Sequence, residues 1–171
     1  GAERKYQAKD TDLLLWVHIA FTDSFLTCHQ MYAWRQIPGG ADAYVDQWAR
    51  SVEPLGLANA PHSKEDLVRE IDRFTSTNIL RADETTQKVI GFIRNPGLPI
   101  AVMPIYKLLF AAAVVSLSPE HRKMLNLRVL PAWLVVPLTR VTLRSLQVII
   151  GYDSPIEEGA LNRLRRLGLW K

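Results

Sequence analysis

His18, Thr22, Phe25 and His29 follow one another at spacings of three and four residues, with Leu14 and Phe21 in the same series. Such spacing lines them along one face of a helix. An imidazole among apolar neighbours is costly to bury unless a partner satisfies it or a ligand uses it. In its neutral form it can ligate a metal, move a proton or hydrogen-bond a bound molecule. His18 is therefore the candidate catalytic residue, and His18, Thr22 and Phe25 are the candidate lining of a cavity for a cofactor or substrate. The plainer alternative is a core histidine bonded to a carboxylate or a backbone carbonyl. His29 lies three turns further on, about 16 Å along the axis at 1.5 Å per residue, so one metal ion cannot take both. Asp23 falls off this face and is expected to pair with an Arg or Lys of another helix. Cys28 has no second cysteine to bridge to, and a small core residue is the commoner fate of such a thiol. His62, in a Pro-flanked turn, and His121, in a short polar segment, read as solvated. No His/Cys/Asp/Glu set has zinc-site spacing, and no metalloprotease, serine-hydrolase or phosphate-loop motif occurs.

The elements that must position these residues are helices. The first runs from about Thr11 to Arg35, with Asp10 or Thr11 as its cap and Asp12 in its first turn, and Pro38-Gly39-Gly40 ends it. A second begins near Asp42, carries the stripe Tyr44, Val45, Trp48 and Val52, and stops around Pro54-Leu55-Gly56. Ser63, with Asp66 three residues later, opens a third helix whose apolar stripe is Leu67, Ile71 and Phe74. A fourth spans Asp83 to Arg94. Pro104 to Leu117 is apolar nearly all round and should be buried by other helices. Ser118-Pro119-Glu120 starts a short helix, Pro131 to Ile150 forms a long one, and Ser154-Pro155 starts the last, which ends at Gly168. Pro137 either kinks the long helix or sits in its first turn. Trp16, Trp34, Tyr44, Trp48, Phe74 and Tyr106 are expected in the core. The fold class is all-α, a single domain of about seven or eight helices.

A chain of 171 residues with 48% hydrophobic and 22% charged residues is globular. Its net charge of +4 is partly concentrated in Arg163, Arg165, Arg166 and Lys171. No stacking aromatics are interleaved with these cations, which argues against nucleic acid. No signal-peptide pattern appears near residue 1, so a cytoplasmic location is expected. The stretch Leu98 to Leu117 approaches bilayer length, but Pro99, Pro104 and Lys107 favour burial in protein. Arg140 and Arg144, four residues apart in an otherwise apolar helix, suit peripheral membrane contact. The expected partner is a hydrophobic small molecule or lipid.

The run YQAKDTDLLLWVHIAFTDSFL, residues 6–26, resembles the signature of the latex-clearing (rubber) oxygenase and mycophenolic-acid-pathway oxygenase family. The likeness continues through NPGLPIAVMPIYKLLFAAAVVSLSPEHRKMLNLR, residues 95–128, similar to the family's Pro-bounded hydrophobic helix and the turn after it. The resemblance implies a globin-like helical domain holding haem b and an oxygenase acting on a hydrophobic substrate. It also implies that the haem-gripping Arg-x-x-x-Thr pair and the axial histidine align upstream of Tyr6, so that the chain is the C-terminal portion of the family domain and contains no identifiable axial ligand. Two other readings keep the same fold: a non-catalytic helical interaction or membrane-associated module, and a lipid-binding protein.

Overall fold

A 22-residue helix, α1 (Thr11–Tyr32), is the element against which the others pack. The computed structural model of the chain describes residues 11–77, 80–151 and 155–168; Asp10 and Ser154, expected as caps, lie outside them. Beyond α1 come α2 (Gly40–Val52), a 3-10 turn (Glu53–Leu55), α3 (Lys64–Ser76), α4 (Glu84–Arg94), α5 (Met103–Ser116), α6 (Pro119–Met124), α7 (Ala132–Ile150) and α8 (Pro155–Arg166). No strand occurs among the described residues. The all-helical class and a count of eight agree with the sequence.

Ser63 and Ser118 start their helices as expected, and Asp83 starts a third in the same way. Ser63 Oγ accepts from the Asp66 backbone N–H at 3.1 Å and donates to the Asp66 carboxylate at 2.7 Å, so both bonds run through the serine hydroxyl instead of closing a capping box on the Ser63 N–H. Asp83 caps α4 by accepting from the Thr86 N–H at 2.8 Å, and Ser118 caps α6 through the His121 N–H at 3.2 Å. Gly39 turns the chain into α2 at φ 76°, and a Cβ there would stand 2.7 Å from that of Ala43. Only glycine meets both demands.

Two apolar clusters share α1. Its N-terminal part packs Leu15, Ile19 and Leu26 against Val45 and Ala49 of α2, Leu57, and Leu67 and Phe74 of α3. Its C-terminal end contributes Tyr32 to a second cluster with Ala112 and Val115 of α5 and Val135 of α7. The Tyr32 hydroxyl donates to the Ala112 carbonyl at 2.8 Å, and Arg140 Nε on α7 donates to the Met31 carbonyl at 2.7 Å. Arg140 thus ties α7 to the end of α1, where its cation meets the negative pole of the helix.

Other expectations are corrected by how the helices cross. Only the C-terminal half of α5 is buried, through Ala112, Val114 and Val115, while Ile105 and Leu109 remain partly exposed because no described helix covers them. Trp34 is exposed instead of core, its ring N–H reaching the Arg140 carbonyl at 3.4 Å. Pro137 is the sixth residue of α7, inside the helix and past its first turn. No helix among the described residues is long and apolar enough to cross a membrane.

Candidate functional site

The face of α1 singled out by its spacing divides in the folded protein. His18 is 4% exposed, and both of its ring nitrogens are enclosed without a hydrogen-bond partner among the described residues. Its ring lies 6.3 Å from that of Trp48 on α2. Burial pushes its pKa below the ordinary imidazole value, which keeps it neutral. Thr22 is fully buried, and its hydroxyl donates to the His18 carbonyl at 2.8 Å, so its polar group is spent within α1. Phe25 is 49% exposed, stacks on Phe21 at 5.8 Å and touches Trp48 at 5.6 Å. With Cys28, His29, Tyr32, Tyr44 and Trp48 it lines an open groove of about 810 Å³ that also meets Arg144 of α7. His18 and Thr22 do not line that groove. Periodicity assigns a face, and the crossing of α2 decides which of its members are covered.

A better enclosed cavity of about 280 Å³ lies on the other flank of α1, close to the lower size range of ligand sites. Trp16, Ala20 and Asp23 reach it from α1 at spacings of four and three, so they share a flank. Ile71 of α3, Leu80, Arg81, the turn Ser116–Ser118, and His121, Met124 and Leu125 complete it. The lining is mostly apolar, with a carboxyl, an imidazole and a guanidinium converging on it. Ser118 decides the local geometry: by capping α6 it starts a helical turn that brings His121 beneath Trp16, ring to ring at 6.5 Å.

His121 is therefore not the solvated residue its polar neighbours suggested. Its Nε2 is enclosed and makes no hydrogen bond among the described residues. Asp23 has its pKa raised by burial, against the opposing pull of His121, Lys64 and a side-chain hydrogen bond from Thr27. The expected ion pair with an Arg or Lys is not made among the described residues: Lys64 acts on Asp23 only through its field, and desolvation outweighs it. A carboxyl that holds its proton more readily and an imidazole with a free nitrogen can together anchor a hydroxyl or carbonyl group and move a proton at it. The apolar remainder of the cavity suits a hydrophobic body and keeps water away. The signal for this site lay in the spacing Trp16, Ala20, Asp23, which goes unread when Asp23 is judged only by its distance from His18.

The haem that the resemblance implies would need an iron-binding donor free to face a cavity. In the 810 Å³ groove the iron-binding donors are already engaged. The Cys28 thiol points to Ser116 Oγ at 3.7 Å, His29 Nε2 pairs with the Arg35 carbonyl at 2.9 Å, and the Tyr32 hydroxyl is held by Ala112. His18 has the right donor chemistry, a neutral imidazole with free nitrogens, but lines neither cavity. No group of three or more His, Cys, Asp or Glu among the described residues is placed to hold a metal ion. The described residues do not by themselves form a haem site.

No curated protein and no solved structure matches the chain. A sequence model of one family, described as ER-bound oxygenase mpaB/B'/Rubber oxygenase, catalytic domain, matches residues 1–148. That span takes in α1 through nearly all of α7, and with them both flanks of α1 and every residue of the Asp23–His121 cavity. The chain belongs to this family of oxygenase catalytic domains.

Proposed function

We propose that the chain supplies the substrate-binding wall of an oxygenase acting on a small hydrophobic molecule, with haem b as its cofactor. The observation that supports this reading best is the enclosed, mostly apolar cavity in which Asp23 and His121 are the convergent polar groups. Haem, were it bound, would supply the dioxygen chemistry, and the described residues do not by themselves hold it. Trp16, Ile71, Leu80 and Leu125 exclude water and hold the apolar body of the substrate. Asp23 and His121 orient a polar atom of the substrate and exchange a proton with it.

The test uses protein expressed from its full reading frame and measures its absorption spectrum and iron content. The expected result is a Soret band that shifts when hydrophobic small molecules are added. Ala20→Trp, which fills the cavity, should keep the band and abolish the shift. A colourless, iron-free preparation refutes the cofactor assignment, and a shift that survives in Ala20→Trp refutes the cavity.

One observation favours a second reading, a docking module without catalysis. Leu134, Leu138, Val141 and Val148 form an exposed apolar stripe on α7, at spacings of four, three and seven. A colourless protein that purifies with a stoichiometric partner bound to α7 would favour it over the oxygenase.

A further inference from the structure

The surface groove beside α5 has a chemistry of its own and shares no residue with the Asp23–His121 cavity. Lys107, Phe110 and Val114 stand at spacings of three and four and form its floor along one face of α5. Arg94, the last residue of α4, closes one side, and Arg128 and Leu130 close the other. The space between them is about 610 Å³, well inside the range of small-molecule sites. The turn after α6 carries Arg128 into place. Asn126 adopts φ 52°, and the Leu127 N–H bonds back to the Arg122 carbonyl at 2.9 Å.

Charge sets this groove apart. On α2, α3 and α4, Arg50, Arg69, Arg73 and Lys88 each meet an acid three or four residues earlier in the helix. Arg94, Lys107 and Arg128 meet none among the described residues, and no Asp or Glu lines the groove. Arg94 instead stands over the Phe110 ring at 5.9 Å, which leaves its N–H donors free to turn outward. Val114 at the floor is buried, whereas Leu130 at the rim and Phe92 just before Arg94 are exposed. Three cations around an apolar floor match a ligand that is negative at one end and apolar along its length.

We propose that this groove binds an anionic amphiphile, its single carboxylate or phosphate held by Arg94, Lys107 and Arg128 and its alkyl chain laid along Phe110, Val114 and Leu130. A space of this size takes one chain and its head, which favours a free monomer over the surface of a bilayer. A nucleic acid would need open stacking faces, and Phe110 gives its face to Arg94. The inference does not depend on the oxygenase reading.

Calorimetric titration tests it, with dodecanoate and dodecyl phosphate below their micellar concentrations, and with dodecanol and inorganic phosphate as controls. Both anionic amphiphiles should bind at least about tenfold more tightly than either control, and raising the salt should weaken them. Lys107→Glu with Arg128→Glu should lower the affinity by about tenfold or more; both residues are exposed, and a circular dichroism melt confirms that the variant folds. Leu130→Ser should lower it through the tail alone. Equal binding of dodecanol, equal binding of inorganic phosphate, or wild-type affinity indifferent to salt would each overturn the proposal. So would sedimentation with phosphatidylserine vesicles by a protein that binds neither monomer, which would assign the cations to a membrane surface.

Discussion

Replacing His18 with leucine should leave the protein as stable as before or more so, although the residue sits at the heart of α1. Its two ring nitrogens are buried without partners among the described residues, and a buried polar group left unsatisfied costs about 1–3 kcal/mol. Leucine removes that cost. It forfeits the ring contact with Trp48 at 6.3 Å and puts a slightly bulkier, non-planar side chain in its place, and near-isosteric core swaps of this kind cost less than about 1.5 kcal/mol. The net effect runs from roughly −0.5 to +3 kcal/mol and centres on about 1 kcal/mol of stabilisation, a rise in Tm of about 2–4 °C for a domain of this size. His18→Ala keeps the same polar gain but opens a void beside Trp48, so it should fall about 2–5 kcal/mol below the leucine variant. The pH dependence supplies an independent reading. Burial lowers the folded-state pKa of His18, so the unfolded chain binds the extra proton first. Stability is then lost as pH falls below about 6.5 toward the folded pKa, with a slope of at most about 1.4 kcal/mol per pH unit for one proton. The leucine variant should lack that component. Urea unfolding followed by tryptophan fluorescence, at several pH values on both sides of the window, measures both effects. A leucine variant destabilised by more than about 2 kcal/mol, with the acid slope unchanged, would mean that the imidazole is hydrogen-bonded and the reasoning is wrong.

Three further outcomes follow from the same structure. Thr139 is buried on α7 with a hydroxyl that has no partner among the described residues, so Thr139→Val should stabilise by about 1 kcal/mol in the same urea experiment. Tyr32→Phe removes the hydroxyl that holds Ala112, and should cost about 0.5–1.5 kcal/mol and loosen α5, visible as faster amide exchange along that helix. Asp23 has a folded-state pKa above its unfolded value, so the stability it contributes is present at low pH and is lost as pH rises through the folded pKa. Asp23→Asn should flatten the urea midpoint across that window, raise stability at neutral pH and weaken binding of any cavity ligand that carries a hydroxyl or carbonyl group.

Much of the architecture could be read directly from the chain because helix starts are local events. Ser63, Asp83 and Ser118 each satisfy backbone N–H groups within three residues of themselves, so their roles follow from sequence spacing alone. Apolar spacing likewise placed Leu67, Ile71 and Phe74 on the inward face of α3. Family membership rested on a contiguous run and was equally legible. The site was not, because a cavity is made by residues that meet only after helices cross. His121 lies ninety-eight positions from Asp23, and nothing local distinguishes an imidazole on a short polar helix from one turned beneath Trp16. The same limit explains His18: periodicity marked its face of α1, but only the seat of α2 shows that its nitrogens are sealed from both cavities.

The sequence alone thus determined the all-α class, the order and ends of most helices and the oxygenase family, since each depends on interactions within a few turns or on residue identity in series. Tertiary structure decided where a ligand can sit. It enclosed His18 and Thr22 away from both cavities, brought Asp23 and His121 to one cavity, set Arg140 on the Met31 carbonyl at the end of α1, and gathered Arg94, Lys107 and Arg128 round one groove. Burial and charge proximity are properties of three-dimensional arrangement, and they depend on contacts between residues far apart in the chain.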